Sequence, residues 1–90
     1  MPPKRRSKPR SPEHAALGEA VRRLRHEAGM SQEQLAERAG TDLTQIGGIE
    51  RGVRNPSYTT LVRLAKALET SVGELATLAD RLRDGQPGKR

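Results

Sequence analysis

From about His14 onward, apolar positions fall into helical spacing. Leu17, Val21, Leu24 and Ala28 recur at intervals of four, three and four, which lines them along one face of a first helix. Gly29 stands where a helix ends in a left-handed residue. Ser31 followed by Gln34 makes a capping box, and a short second helix from Gln32 to about Ala39 buries Leu35, Ala36 and Ala39. Gly40 ends it. Thr41 or Asp42 caps a third helix that runs to about Glu50, buries Ile46 and Ile49, and stops at Gly52. Residues 53–56 read as a loop, because Pro56 biases Asn55 away from helical geometry. Ser57 caps a fourth helix with the stripe Leu61, Leu64, Ala65 and Leu68. A fifth begins near Ser71 and carries Val72, Leu75, Leu78 and Leu82. Gly85, Pro87 and Gly88 close the ordered chain. No run alternates with period two, so the expectation is a compact all-α, five-helix domain over 13–84, with a tail at 85–90.

Composition narrows the function. Of the 90 residues none is Cys, which removes disulfides and thiolate metal sites. Tyr58 is the single aromatic residue, so the chain is a poor fit to single-strand binders that stack bases on aromatic side chains. No apolar run approaches the roughly 20 residues of a membrane span, and the basic N-terminus lacks the apolar stretch of a secretory signal. The expected location is the cytoplasm, at the nucleoid, with no membrane association.

The net charge of +6 is unevenly spread. Lys4, Arg5, Arg6, Lys8 and Arg10 give residues 1–12 a charge of +5 with no acid, and Lys89 and Arg90 add +2 at the other end. Residues 13–86 are left at −1. A near-neutral body must bind DNA through a local face, whatever the tails contribute. Residues 1–12, rich in Pro, Lys, Arg and Ser, read as a disordered arm. It is either a solvated tail or an arm that follows the DNA backbone or enters the minor groove.

Residues 31–52, SQEQLAERAGTDLTQIGGIERG, have the layout of a helix-turn-helix: about two helical turns, a tight turn at Gly40-Thr41, and a second short helix. Small Ala36 suits a close helix crossing. Leu35, Ile46 and Ile49 would lock the two helices, so that the third projects as a rigid probe fitted to the major groove, about 12 Å wide. Together LGEAVRRLRHEAGMSQEQLAERAG, IERGVRNPS and TLVRLAKALETSVGEL resemble the phage-repressor and Cro-like, or Xre-like, helix-turn-helix family over Leu17 to Leu82. The resemblance implies a lambda-repressor-like fold and a dimeric regulator on double-stranded DNA, without cofactor, metal or catalysis.

The resemblance also implies roles. Gln32 would contact phosphate and buttress the recognition helix. Asp42, Leu43, Thr44 and Gln45 would face base edges, and Gly48 falls where another reading side chain often stands. Arg51, Arg54 and Asn55 would hold phosphates. Arg25 and Glu50 would form an ion pair tying the first helix to the third. Chemistry then limits each: Gln45 suits a bidentate pair with adenine, Thr44 serves either base, and Leu43 suits a thymine methyl. Asp42 either caps the helix or accepts from cytosine N4. Gly47-Gly48 departs from the family pattern, since two glycines inside a helix cost about 1 kcal/mol each relative to Ala. Close approach to DNA or another helix, or packing with no part in reading, would offset that.

Other residues carry less. His14 and His26 have no companion ligands for a metal. Arg25 reads as structural, and Arg22 and Arg23 as solvated surface. Leu78 and Leu82 either form a dimer interface or fold back onto Leu17 or Val21. Two further classes compete with the sequence-specific dimer: a protein-interaction module, antitoxin or adaptor, with a protein partner and secondary DNA binding, and a nonspecific DNA-coating protein driven by the arm.

Overall fold

The computed structural model describes residues 8–85. Five α-helices follow in order: α1 (Pro12–Glu27), α2 (Gln32–Ala39), α3 (Leu43–Glu50), α4 (Tyr58–Ala67) and α5 (Val72–Arg83), and no strand occurs among the described residues. Each helix starts on a side-chain cap. Ser11, Ser31, Asp42, Ser57 and Ser71 accept from the backbone N–H of His14, Gln34, Gln45, Thr60 and Glu74. Each such cap stabilises by about 1 kcal/mol. At α2 the capping box is complete, because the Ser31 N–H also donates to Gln34 Oε1 at 2.8 Å.

The start of α1 corrects the expected boundary. Pro12 opens the helix at a position where its missing N–H costs nothing, and Ser11 caps it. The Arg10 N–H donates to the Gly52 carbonyl at 2.8 Å. Residues 9–12 are therefore tied to the body instead of belonging to a disordered arm. The rest of that expected arm, residues 1–7, and the expected tail from 86 onward lie outside the described residues.

Helix ends reuse one device. At α2, Gly40 takes the left-handed conformation (φ 72°), its N–H reaches Glu37 O, and the Thr41 N–H reaches back to Ala36 O at 2.9 Å. At α4 the same pair of bonds forms from Glu69 to Lys66 O and from Thr70 to Ala65 O, yet the left-handed residue is Glu69, at φ 59°. A side chain there costs about 1–2 kcal/mol, and nothing in the pattern of apolar residues announced it.

The core is assembled from all five helices. Val21, Leu35, Ile46, Ile49, Leu64 and Leu75 are fully buried, each stabilising by about 1.5–3 kcal/mol relative to exposure. On α1 the buried face is Ala16, Ala20, Val21 and Arg25, with Leu17 and Leu24 half-buried. Ala28 is exposed, because it is the C-cap residue and has already left the helical face. Leu78 and Leu82 are half-buried and pack against the core cluster that contains Val21. Both leucines therefore pack on the body of their own chain, with part of each side chain still exposed.

Gly18 sets the spacing of α1 and α3. A Cβ at this buried position would lie 2.5 Å from the Glu50 carbonyl oxygen and 2.8 Å from its carbon. Backbone therefore meets backbone at this crossing, and the end of α3 is held at a fixed depth.

Candidate nucleic-acid interface

Helix α3 is buried along one side by Ile46 and Ile49 and open at its first turn. Asp42 and Thr44 are exposed, Leu43 keeps 44 % of its surface, and Gln45 is half-buried. Asp42 Oδ1 accepts the Gln45 N–H at 2.8 Å, so the Asp42 carboxylate is the helix cap. Among the described residues Leu43 and Tyr58 are the large apolar side chains left exposed, and Leu43 lies on the very turn that a groove-reading helix presents.

The two glycines find their explanation in the arginines that follow them. Both are buried. A Cβ on Gly48 would collide with Arg54 Cγ and lie 3.2 Å from its Cδ, and one on Gly47 would come within 3.1 Å of an Arg51 guanidinium nitrogen. The Arg54 stem thus lies across α3 in the space a side chain at position 48 would fill. Its guanidinium donates to Gln45 Oε1 at 3.4 Å. Sequence reasoning separated Gln45, as a base reader, from Arg54, as a phosphate ligand, whereas the structure brings them side by side. The Gln45 amide nitrogen remains free to donate.

Behind this surface sits a buried polar cluster. Arg25 Nε donates to Glu50 Oε2 at 2.6 Å, and its second nitrogen donates to Glu50 Oε1 at 3.1 Å. Its third nitrogen donates to the Met30 carbonyl at 2.9 Å. Gln32 Nε2 completes the set by donating to Glu50 Oε1 at 2.9 Å. Arg25 and Glu50 are each only 7 % exposed, so their charges are matched by short, two-point geometry in place of water. The cluster pins the end of α1, the start of α2 and the last residue of α3. Gln32 thus gives an amide hydrogen to this buttress. Arg22 and Arg23 both pair with Glu19 on the exposed side of α1, so they form no free basic patch.

His14 has a partner on each ring nitrogen. Its Nε2 lies 3.1 Å from Asn55 Oδ1, and its Nδ1 lies 2.7 Å from the Ser11 hydroxyl. The imidazole thus bridges the Ser11 hydroxyl and the Asn55 side-chain oxygen. The first turn of α1 thereby positions Asn55 in the α3–α4 loop, beside Arg51 and Arg54. The run Ser-Pro-Glu-His is itself a helix-start signature that would have placed His14 in that first turn.

A helix-turn-helix family model matches residues 21–75. The chain belongs to the helix-turn-helix family. It is 52 % identical over 61 residues to control protein C.SmaI of Serratia marcescens, a match covering 68 % of this chain and 73 % of that one. The restriction-modification controller protein C.AhdI of Aeromonas hydrophila superposes with a TM-score of 0.71 at 40 % identity, over 72 % of this chain and 98 % of that one. The controller C.Esp1396I, solved as a tetramer with its natural 35 base-pair operator, gives a TM-score of 0.74 at 32 % identity, over 81 % of this chain and 96 % of that one. All five helices and the lambda-repressor-like arrangement expected from the motifs are present. No described helix is long and apolar enough to cross a membrane.

Proposed function

We propose that this chain is a sequence-specific, double-stranded-DNA-binding transcriptional regulator of the controller type, acting in the cytoplasm as a homodimer on an operator with two half-sites. The observation that carries the reading is the open first turn of α3, with Gln45 and Arg54 side by side over buried Gly48. In this reading α3 enters the major groove, where Leu43, Thr44 and Gln45 meet base edges. Gln32, Arg51, Arg54 and Asn55 take phosphates and fix the register. Asp42 serves as the cap. The relatives support it: C.SmaI and C.AhdI are controller proteins, and C.Esp1396I was solved on its operator as an oligomer. The exposed edges of Leu78 and Leu82 contribute to the homodimer contact. Catalysis forms no part of this role.

Selection of binding sites from random duplex DNA at about 150 mM salt, with the full-length protein, tests it. Enrichment of an inverted repeat with half-sites about one helical turn apart, roughly 34 Å, is expected. Binding that enriches nothing and vanishes as salt rises would overturn it.

A further inference from the structure

The α3–α4 loop is fastened along its backbone at several points. The Val53 N–H donates to the Gly48 carbonyl at 2.9 Å, and the Gly52 carbonyl accepts the Arg10 N–H at 2.8 Å. A Cβ on Gly52 would lie 3.0 Å from Ala15 Cα, so the first turn of α1 presses directly on the loop. Ser57 then caps α4. These contacts fix the backbone but not the side chain of exposed Asn55, whose amide could turn either way round. Its Oδ1 lies 3.1 Å from His14 Nε2. The half-buried His14 ring is braced from behind by the Ser11 hydroxyl, 2.7 Å from Nδ1, and Ser11 is itself held as the cap of α1.

We propose that His14 is a positioning residue for DNA binding. It holds Asn55 by the oxygen, so that the amide nitrogen, which only donates, is the end presented to a backbone phosphate. The inference rests on the proposed DNA-binding function and on the place of Asn55 among its phosphate ligands. Turned the other way, Asn55 would set its oxygen against the phosphate oxygens, acceptor against acceptor. Ordering the side chain before DNA arrives removes an entropic cost that would otherwise weaken binding. For one side chain this corresponds to about three- to tenfold in Kd. His14 acts only through Asn55.

The test is a double-mutant cycle on the full-length protein and its selected operator, with the active fraction of each variant fixed by stoichiometric titration. His14→Leu fills similar space without the ring nitrogens and should weaken operator binding about three- to tenfold. His14→Gln carries an amide nitrogen at the reach of Nε2 and should recover most of that loss. Asn55→Ala should weaken binding at least as much as His14→Leu, and the double variant H14L/N55A no further than Asn55→Ala alone. The Tm of His14→Leu should stay within about 4 °C of wild type, since the Ser11 cap and the Arg10–Gly52 bond do not use the ring. Losses that add in the double variant would make His14 an independent DNA contact and overturn the inference. Equal losses in His14→Leu and His14→Gln, or a His14→Leu protein that binds like wild type, would also overturn it. Each of these outcomes leaves the operator preference standing. A wild-type protein with no operator preference would overturn the proposed function, and the inference with it.

Discussion

Replacing Gly18 by Ala sets two effects of known size against each other. Within a helix Ala is favoured over Gly by about 1 kcal/mol, and burying one methyl group contributes up to about 0.8 kcal/mol more. From propensity alone, Gly18→Ala in the middle of α1 should stabilise the protein. The structure opposes this, because the new Cβ would stand 2.5 Å from the Glu50 carbonyl oxygen and 2.8 Å from its carbon. Those atoms are backbone and cannot rotate aside, so α1 and α3 must part by roughly 0.5–1 Å to restore contact distances. That motion stretches the Arg25–Glu50 pair, now at 2.6 Å, and loosens Ile49 beneath it. Overpacking of this kind costs about 1–3 kcal/mol, and strain on a buried ion pair adds to it. The expected net effect is destabilisation by about 1–3 kcal/mol, a fall in Tm of at least about 4 °C for a domain of this size. Thermal unfolding followed by circular dichroism reads it, with Gly73→Ala as the matched control. Gly73 is exposed within α5, and a Cβ there meets only the Ser71 hydroxyl at 3.8 Å, so this change should raise Tm. A Gly18→Ala protein as stable as the control would refute the backbone crossing.

Three further substitutions probe other parts of the account. Gly48→Ala should raise stability by up to about 1 kcal/mol yet weaken operator binding about tenfold or more, because it evicts the Arg54 stem from α3; melting and a titration with operator DNA separate the two effects. Glu50→Ala leaves Arg25 buried without its partner and should cost about 3–5 kcal/mol in urea unfolding. Glu69→Gly relieves the left-handed side chain at the end of α4 and should stabilise by about 1 kcal/mol in the same assay.

How far the sequence disclosed this molecule can be seen residue by residue. Helix starts were legible because Ser31, Asp42, Ser57 and Ser71 are local signals, each satisfied within three residues of itself. Stops at Gly29, Gly40 and Gly52 were legible for the same reason. Glu69 was not, because the chain there adopts a left-handed turn that its own residue type disfavours. Gly18 and Ala20 escaped notice since an apolar pattern counts large side chains, whereas close helix crossings need small ones. The pairing of Arg25 with Glu50 came from family resemblance, but its third partner, the Met30 carbonyl, is visible only in three dimensions. Gly47-Gly48 looked like a defect along the chain. The explanation lies four and six residues further on, in the Arg51 and Arg54 side chains that fold back over the helix. His14 and Asn55 are 41 residues apart, and no spacing rule joins them.

The central claim is that the first turn of α3 reads bases, with Gln45 as the reader that Arg54 orients. The most direct measurement compares wild type and Gln45→Ala on a panel of operators, each altered at one base pair of the half-site. The account predicts that Gln45→Ala loses about 1–3 kcal/mol on the intact operator, loses nothing more when one particular base pair is altered, and keeps its discrimination at all other positions. An equal loss on every member of the panel and on random DNA would contradict it, and would return α3 to the role of a scaffold.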